Sequence, residues 1–300
     1  MKKLRFVTSL VTSDNDYQRA QAAAAQEAAR QAGADLEILY AGNDAVNQSQ
    51  QLLNLIQAPA AARPDAIVCL PVGTGLVQVA RAAVAAGIGW AIVNREVDYL
   101  DQLRQDSRVP SFCVSVDQIE VGRIESRQFR ALLPKGGLVL YIAGPSGHFS
   151  AERRIEGMQS TKPENVEVRH VRGRWTEESG YKATLAWLRL ATSHKTSLDL
   201  VCGQNDNMVL GARRALEAEI QLGNQDRAKV LFIGCDACGS AGKERVRQGV
   251  LAASIELPPT AGIAIEMFAR FYLAGEPPRE RTQLMPVPFP AIEELVSPRA

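Results

Sequence analysis

The sequence has few histidines, no excess of charge of either sign and no long apolar run. Its 300 residues include 34 basic and 33 acidic side chains, which leaves a formal net charge of +1. This balance creates no broad field to attract nucleic acid or an anionic membrane surface, so we expect neither partner. The best apolar runs, such as 138–144, are far shorter than the about 18 residues that a membrane span requires. Insertion into a membrane is therefore not expected.

Sites for a metal ion or a nucleotide cofactor find little support. The chain has three histidines, none of them at a zinc-binding spacing: His148, His170 and His194. A glycine-containing turn at 73–75 follows a strand-like run, but it lacks the third glycine of a dinucleotide fingerprint and the lysine of a phosphate-binding loop. We therefore predict no metal and no cofactor.

A serine and a histidine stand close together in the segment Gly-Pro-Ser-Gly-His at 144–148. The segment does not match the nucleophile elbow of serine hydrolases, and catalytic partners are rarely adjacent in sequence. A glycine-rich turn before a helix capped by Ser150 is the simpler interpretation. Because no nucleophile, base and orienting group can be matched, the sequence does not indicate an enzyme or any catalytic residue.

An odd number of cysteines argues against a complete disulfide framework. The five cysteines lie in or beside predicted strands: Cys69, Cys113, Cys202, Cys235 and Cys238. The last two have the spacing of a redox motif, although small residues at a strand end are the simpler interpretation. Residues 1–16 have a basic end but only a short apolar stretch, so they do not form a complete signal peptide. A cytosolic protein and a processed, exported protein are both compatible with this start.

Strand-like and helix-like runs alternate along almost the whole chain. The strands are continuous apolar runs, such as 65–70 and 138–143, rather than alternating ones. Continuous runs are typical of parallel strands covered by helices on both faces, so a doubly wound α/β fold is predicted. About a dozen strands are too many for one open sheet, which rarely exceeds about ten. We therefore predict two sheets, each with roughly half of the strands.

Polar residues recur after the predicted strands in both halves of the chain. Ligands of open α/β sheets bind beyond the carboxyl ends of the strands, where loops converge and helix N-termini expose free N–H groups. The candidate residues near these ends are Asn15, Tyr17, Gln18, Asn94, Arg95, Arg154, Asn205, Asp236 and Glu256. Arg, Asp and Asn can bridge adjacent hydroxyls, and an aromatic ring such as that of Trp175 can cover the apolar face of a sugar. The pattern favours a neutral, hydroxyl-rich ligand.

Five segments closely resemble one protein family. They are AERRIEGM at 151–158, RWTEESGYKA at 174–183, GQNDNMVLGARRAL at 203–216, VLFIGCD at 230–236 and GVLAASIELPPTAG at 249–262. In order and spacing they resemble the type I periplasmic binding proteins of the ribose/galactose type and the related effector domains of LacI-type repressors. Weaker similarity extends from Arg5 to about Pro290. The resemblance implies two Rossmann-like lobes with doubly wound parallel sheets, joined by a three-segment hinge.

The resemblance also implies where the lobes and the ligand site lie. The first lobe is expected at 1–115 with 257–285 and the second at 116–256 with 286–300, with the ligand in a cleft between them. Ligand contacts are implied for Asn15, Tyr17, Gln18, Asn94 and Arg95 in the first lobe, and for Arg154, Trp175, Asn205, Asp236 and Glu256 in the second lobe and hinge. The hinge crossings are expected near Ser115–Asp117, Ile255–Leu257 and Met285–Pro288.

Several positions depart from the ribose-type pattern. Asn94 stands where relatives usually carry aspartate, and Glu256 stands where they carry glutamine. Relatives often have two aromatic residues where this chain has Tyr17 and Gln18, so ring stacking on the ligand would be weaker. The ligand need not be a common pentose or hexose. Segment 97–110 is also longer than the usual connection.

Several candidates also have a purely structural alternative. Arg153 and Arg154 could form the exposed first turn of a helix, and the resemblance favours ligand contact for Arg154 but not for Arg153. Trp175 could equally be a core residue. Asp14 and Asp206 are interpreted as helix caps.

The resemblance implies a periplasmic, monomeric binding protein that captures one monosaccharide, cyclitol or polyol by closing its hinge like a Venus flytrap. The expected partners are the membrane subunits of an ABC importer, or a sensor. The alternative is the effector-binding domain of a LacI-type regulator without its DNA-binding segment. A regulator would carry about 50–60 further residues with a helix-turn-helix before the first strand. Here the first strand starts by Leu4, which counts against DNA binding.

Overall fold

The computed structural model describes residues 3–105, 109–190, 197–221, 228–237 and 239–295. Strands and helices alternate through them, as predicted for a doubly wound α/β fold. The strands are β1 (Arg5–Leu10), β2 (Asp35–Tyr40), β3 (Ala66–Cys69), β4 (Gly89–Val93), β5 (Ser111–Val116), β6 (Gly137–Ala143), β7 (Val166–Arg172), β8 (Leu200–Gly203), β9 (Leu231–Ile233), β10 (Ser254–Glu256), β11 (Arg281–Leu284) and β12 (Val287–Phe289). The helices are α1 (Asp16–Gln31), α2 (Ala45–Gln57), α3 (Val77–Ala85), α4 (Leu100–Gln105), α5 (Gln118–Leu132), α6 (Phe149–Thr161), α7 (Glu177–Leu188), α8 (Asp206–Gln221), α9 (Gly239–Arg247) and α10 (Thr260–Ala274).

The chain divides into two compact units, each built from two separate stretches of sequence. The first unit comprises Met1–Val116 and Pro259–Leu284, and the second comprises Asp117–Pro258 and Met285–Ala300. The chain therefore passes from one unit to the other three times. Among the described residues, no helix combines the length and the apolar character that a membrane span needs.

The first unit is built on a six-stranded parallel sheet with the order β11-β5-β4-β3-β1-β2. β3 and β4 are buried at every position, which explains why their sequences are continuously apolar. Trp90 of β4 is fully buried in a cluster with Leu52 of α2 and Val79 of α3. A second, aromatic group joins the sheet to α10, where the ring centroids of Phe112 and Phe268 are 4.7 Å apart.

The long segment 97–110 packs onto the core of the first unit. Its helix α4 buries Leu100 and Leu103 in the same cluster as Trp90, and Tyr99 is half-buried against that cluster. Arg104 forms ion pairs with Asp101 of its own helix and with Glu280. Residues 106–108 of the segment lie outside the described residues.

The second unit holds a four-stranded parallel sheet with the order β7-β6-β8-β9, and a separate antiparallel pair, β10 with β12. Two isolated parallel bridges, Ile233 with Ala253 and Asp236 with Glu256, bring the β10 region beside the end of β9. Two sheets with roughly half of the strands each were predicted. Six of the twelve described strands do form the first sheet, but the six of the second unit are divided between two sheets. β10 and the proline-containing β12 form a short ribbon of their own instead of joining the four-stranded sheet.

Capping residues determine where several helices begin and end. The Asp117 carboxylate accepts the Glu120 N–H at 2.9 Å and so begins α5. Thr176 and Ser179 form a reciprocal capping box at the start of α7. α10 ends at Gly275, whose φ of +71° lies in the left-handed region that favours glycine.

Helices α5 and α6 touch through their backbones. A Cβ atom on Gly122 of α5 would lie 2.0 Å from the Arg154 carbonyl oxygen, and one on Gly157 of α6 would lie 2.0 Å from the Ile119 carbonyl oxygen. Only glycine allows this approach at both positions. The contact fixes the position of the backbone that carries Arg154.

Candidate functional site

The first unit places five predicted residues at the carboxyl edge of its sheet, and we call them the first cluster: Asn15, Tyr17, Gln18, Asn94 and Arg95. Asn15 caps α1, because its Oδ1 accepts the Gln18 N–H at 2.9 Å. The Gln18 side chain is buried, and its Oε1 accepts the Val11 N–H at 3.1 Å. Tyr17 is buried in the same first turn. Part of this polar set therefore holds the loop between β1 and α1.

Asn94 and Arg95 follow β4 directly. Asn94 has a φ of +64°, a left-handed conformation that asparagine tolerates better than most residues. The Arg95 guanidinium reaches the loop after β3, where Nη1 donates to the Gly73 carbonyl at 2.9 Å. Partial burial lowers the pKa of Arg95 from its usual high value. A half-buried guanidinium at this edge is suited to binding oxygen atoms of a ligand.

The second unit brings four predicted residues together at the carboxyl edge of its own sheet, and we call them the second cluster: Arg154, Trp175, Asn205 and Asp236. Arg154 is 3% exposed. Its Nε donates to Gln118 Oε1 at 2.8 Å, and its Nη1 donates to the Gln204 carbonyl. The alternative of an exposed helical turn is therefore wrong for Arg154.

The electrostatic surroundings keep Arg154 charged despite its burial. Burial by itself would lower the pKa of the guanidinium, but the acidic groups Cys235, Asp236 and Glu125 nearby raise it. A buried charge is stable only where it is paired and hydrogen-bonded. Its neighbour Arg153, in contrast, is exposed and pairs with Glu156 at 2.8 Å.

Trp175 and Asn205 connect the loop after β7 to the start of α8. The guanidinium carbon of Arg154 lies 5.9 Å from the centroid of the Trp175 ring. Asn205 Nδ2 donates to the Trp175 carbonyl at 2.9 Å, while Asn205 Oδ1 accepts the Met208 N–H at 2.9 Å. Trp175 is half-buried and packs against the core, so part of its surface is structural. A Cβ atom on Gly144 would lie 2.1 Å from the Trp175 ring, which explains the glycine there.

Asp236 and Glu256 lie on neighbouring segments beyond β9. Asp236 is 8% exposed and has a φ of +109°. Glu256 is the last residue of β10 rather than a residue after the strand, and its carboxylate pairs with Lys243 at 2.8 Å. The Lys243 ammonium also lies 5.4 Å from the Phe289 ring centroid. In this structure Glu256 is thus engaged by its own unit.

Three helix-cap predictions were wrong. Asn15, not Asp14, caps α1, and Asn205 Oδ1, not the Asp206 carboxylate, accepts the Met208 N–H at the start of α8. The Asp206 carboxylate instead accepts the Ser254 hydroxyl at 2.7 Å and the Ala237 N–H at 3.2 Å. α6 begins at Phe149 with His148 at the cap position and without a side-chain cap. Ser150 lies inside its first turn.

A buried polar network behind the second cluster was missed by the sequence analysis. Gln204 Nε2 donates to the Tyr141 hydroxyl at 2.9 Å, and that hydroxyl donates to Glu125 Oε2 at 2.7 Å. Burial raises the pKa of the Glu125 carboxyl to about 8, against the lowering effects of the Tyr141 hydrogen bond and the Arg154 charge. Glu125 lies on the buried face of α5 with Val121, Phe129 and Leu132, and an acidic residue among these apolar positions was the available signal.

The cysteines within the described ranges are buried, free thiols: Cys69, Cys113, Cys202 and Cys235. Burial raises the pKa of the Cys235 thiol, which makes it unreactive at neutral pH. Cys238, the second residue of the suspected redox motif, lies outside the described residues. In the part of the chain that the structure describes, no three His, Cys, Asp or Glu side chains form a metal-binding group.

Comparison with known proteins identifies similar chains and folds. A family model described as a periplasmic binding protein domain matches residues 6–277. A Rhizobium meliloti protein named for rhizopine binding is 29% identical over 215 residues, which cover 70% of this chain and 64% of that protein. This chain therefore aligns with slightly less than two thirds of that relative.

Two solved structures share the fold over nearly the whole chain. One is a periplasmic solute-binding protein of an ABC transporter from Actinobacillus succinogenes with bound D-allose. Its TM-score is 0.81 at 23% identity, and the alignment covers 97% of this chain and 99% of that protein. The other is an ABC transporter solute-binding protein from Bacillus halodurans with bound myo-inositol. Its TM-score is 0.78 at 24% identity, and the alignment covers 98% of this chain and 96% of that protein. At these identities the similarity establishes the α/β fold with parallel sheets in two lobes.

Proposed function

Because this chain belongs to the periplasmic binding protein domain family, we propose that it is a non-catalytic solute-binding protein for a small, hydroxyl-rich molecule. The ligand class is a monosaccharide, a cyclitol or a polyol. One ligand is bound by the first and second clusters together, and the units close around it at the three chain crossings. D-Allose and myo-inositol, the compounds bound in the two similar structures, are the first compounds to test.

The observation that carries this proposal is the composition of the second cluster. A buried, charged Arg154 lies over the Trp175 ring and beside Asp236, with Asn205 bonded to the same loop. The cluster thus combines donors, acceptors and one aromatic face at the carboxyl edge of a parallel sheet. Opposite charges within it offset one another, which suits a neutral ligand with many hydroxyls better than an ion.

The biological role that we propose is delivery of the ligand to the membrane subunits of an ABC importer, outside the cytoplasm. The proteins in the two similar structures are ABC transporter components, which supports this role over that of a repressor effector domain. Association of the ligand-loaded chain with importer subunits in proteoliposomes, and not with operator DNA, is the expected result. Binding of a LacI-type operator by the full-length gene product would contradict it.

Isothermal titration calorimetry with D-allose and myo-inositol, extended to pentoses and polyols, tests the binding function. We expect at least one compound to bind with a Kd in the micromolar range or below. The variant Asp236→Asn keeps the volume and tolerates the same backbone conformation, yet removes the charge. We expect it to weaken binding by about 10- to 100-fold, as the loss of a charged hydrogen bond costs about 1.5–3 kcal/mol.

Two adjacent arginines give a matched control. Arg154→Lys keeps the charge but removes the planar group that donates to Gln118 and Gln204, so binding should weaken strongly. Arg153→Lys changes an exposed side chain and should leave the affinity unchanged. Equal affinities of the two variants would contradict the assignment of Arg154 to the site. Hydrolysis of nitrophenyl glycosides by the unaltered chain would contradict the non-catalytic assignment.

A further inference from the structure

The side chain of Gln204 is held by three hydrogen bonds whose directions are fixed by their partners. Gln204 Oε1 accepts the Gly144 N–H at 2.8 Å, and Nε2 donates to the Ala151 carbonyl at 2.9 Å. A backbone N–H can only donate and a carbonyl can only accept, so the orientation of the amide is determined. Nε2 must then also donate to the Tyr141 oxygen, and the Tyr141 proton must point to Glu125 Oε2.

The same residue, Gln204, also holds Arg154. Its backbone carbonyl accepts the Arg154 Nη1–H, so the bonds that fix the Gln204 side chain also fix the atom that orients the guanidinium. Glu125, Tyr141 and Gln204 are each completely buried. Within the described residues, the second oxygen of Glu125 has no hydrogen-bond partner. Burying a carboxyl group with an unsatisfied oxygen is costly, and a core role alone would be filled better by an apolar residue.

We propose that Glu125, Tyr141 and Gln204 form a hydrogen-bonded chain that positions the Arg154 guanidinium for the ligand, with Glu125 as its titratable end. This inference rests on the proposed function, because it gives a second layer to the same site. Glu125 is a positioning residue: it lies behind Arg154 and reaches the ligand only through the chain. The protonation state of Glu125 therefore alters the surroundings of Arg154 and of the adjacent Trp175 ring.

The titratable and charged groups that interact with Glu125 lie on β6, α6, β8 and the segment after β9. Tyr141 of β6 donates to it, and Arg154 of α6 is the positive charge that acts on it. Cys202 of β8 and Cys235, which follows β9, are thiols whose pKa values are raised by burial and by the Glu125 charge. Both thiols are therefore neutral at neutral pH, and Glu125 is the member of this group expected to titrate near pH 8.

The first experiment measures affinity in the full chain, using whichever of D-allose and myo-inositol binds. Tyr141→Phe removes the hydroxyl that links Gln204 to Glu125, and we expect about ten-fold weaker binding. Ser126→Ala is the matched control. Ser126 lies next to Glu125 on α5, and the variant removes a buried hydrogen bond to the Met158 carbonyl. We expect it to bind within about two-fold of the unaltered chain. Unchanged affinity of a folded Tyr141→Phe variant would overturn the proposal.

A double-mutant cycle with Arg154→Lys distinguishes a positioning role of Tyr141 from a general loss of structure. Arg154→Lys already releases the Gln204 carbonyl, so adding Tyr141→Phe should then weaken binding by less than about two-fold. A purely structural role of Tyr141 would give the same factor in both backgrounds. Multiplicative effects in this double-mutant cycle would therefore also contradict the proposal.

The second experiment needs no ligand, so its failure is distinct from a failure of the proposed function. The emission of Trp175 is isolated by subtracting the spectrum of Trp175→Phe, and it is titrated from about pH 6.5 to 9.5. We expect a transition with a midpoint of about 8 that Ser126→Ala retains and Glu125→Gln loses. A contribution from His148, whose ring lies 5.2 Å from that of Trp175, would persist in both variants. The absence of a transition near pH 8, or a transition there of the same size in Glu125→Gln as in the unaltered chain, would overturn the proposal even if a sugar binds.

Discussion

At the scale of single residues, Asn205 has a structural role as well as a candidate role in binding. Its side chain bonds both to the start of α8 and to the Trp175 carbonyl, and it is 3% exposed. Asn205→Ala should therefore lower the free energy of unfolding by about 1–2 kcal/mol, since a helix cap and a buried hydrogen bond are lost together. Urea titration of the ligand-free chain measures this loss.

Arg153→Lys serves as the comparison, because it changes an exposed side chain of the same unit. We expect its unfolding midpoint to remain close to that of the unaltered chain. If Asn205→Ala proves equally neutral, the two hydrogen bonds contribute little to stability. Its effect on ligand affinity would then report on binding alone.

Glu125 should make the stability of the protein depend on pH. Its pKa is about 8 in the folded chain and has its ordinary value, near 4.5, in the unfolded chain. Between these values the folded state binds one more proton, so rising pH removes stability. Relative to Glu125→Gln, the free energy of unfolding should fall by about 1.4 kcal/mol for each pH unit across this window.

Below about pH 4.5 this contribution is fully present, and above about pH 8 it is lost. Because glutamine is neutral like the protonated carboxyl, urea titrations should give similar stabilities for the unaltered chain and Glu125→Gln near pH 4.5, and curves that diverge as the pH rises towards 8. The Ser126→Ala variant should run parallel to the unaltered chain at every pH. A constant offset between the Glu125→Gln curve and that of the unaltered chain would show that Glu125 does not carry the raised pKa.

The sequence analysis selected Arg154 and Asn205 as site residues but missed the buried polar residues behind them, and this difference has a physical cause. Arg154 and Asn205 follow strands in the sequence, so topology alone brings them to the carboxyl edge of one sheet. The partners of Arg154 are Gln118 of α5 and the Gln204 carbonyl after β8. Behind them lies Tyr141 of β6, and a buried tyrosine in an apolar strand has the same sequence pattern as any other core residue. The distinction between Asp206 and Asn205 as cap also depends on Ser254, which is 48 residues away.

At the scale of elements, the contact of α5 with α6 should be intolerant of side chains. Gly157→Ala would place a Cβ atom 2.0 Å from the Ile119 carbonyl oxygen, which is backbone and cannot rotate away. The helices would have to separate, and we expect a loss of about 2–4 kcal/mol in the free energy of unfolding. Because Arg154 lies on the displaced helix, ligand affinity should fall as well.

Gly75→Ala is the matched control, since nothing lies within 4 Å of the added atom and the backbone there is not left-handed. Its effect on unfolding should stay within about 0.5 kcal/mol. Thermal unfolding followed by circular dichroism compares the two variants. A Gly157→Ala variant as stable as Gly75→Ala would mean that the helices are not in backbone contact.

Secondary-structure elements were predictable where the local sequence pattern is sufficient to identify them. The continuous apolar runs at 65–70 and 138–143 predicted buried parallel strands, and the structure has β3 at Ala66–Cys69 and β6 at Gly137–Ala143. The short strands β10 and β12 were harder to place, because three-residue strands carry too little pattern to reveal their partner. Their antiparallel pairing depends on contacts between segments more than 30 residues apart.

At the scale of the whole molecule, the fold follows from the sequence because the central strands of both parallel sheets are buried on both faces and are therefore continuous apolar runs. Each unit has its own core, with Trp90 in the first and Tyr141 in the second among the largest fully buried side chains. The proposed binding of one ligand by both clusters is not a property of either core. It would depend on polar residues from both units, so it requires a test of its own.

Hydrogen exchange can test whether a single ligand engages both clusters. Saturating D-allose or myo-inositol should slow amide exchange near Tyr17 and Asn94 in the first unit and near Asn205 and Asp236 in the second, because bound ligand stabilises the groups that it contacts. Arg95→Ala removes a side chain of the first cluster, which bonds to the Gly73 carbonyl of the first unit. If one ligand needs both clusters, this variant should lose protection in the second unit as well. Protection that persists near Asp236 in Arg95→Ala would show that the second cluster binds the sugar without the first. This result would contradict the proposal that both clusters bind one ligand.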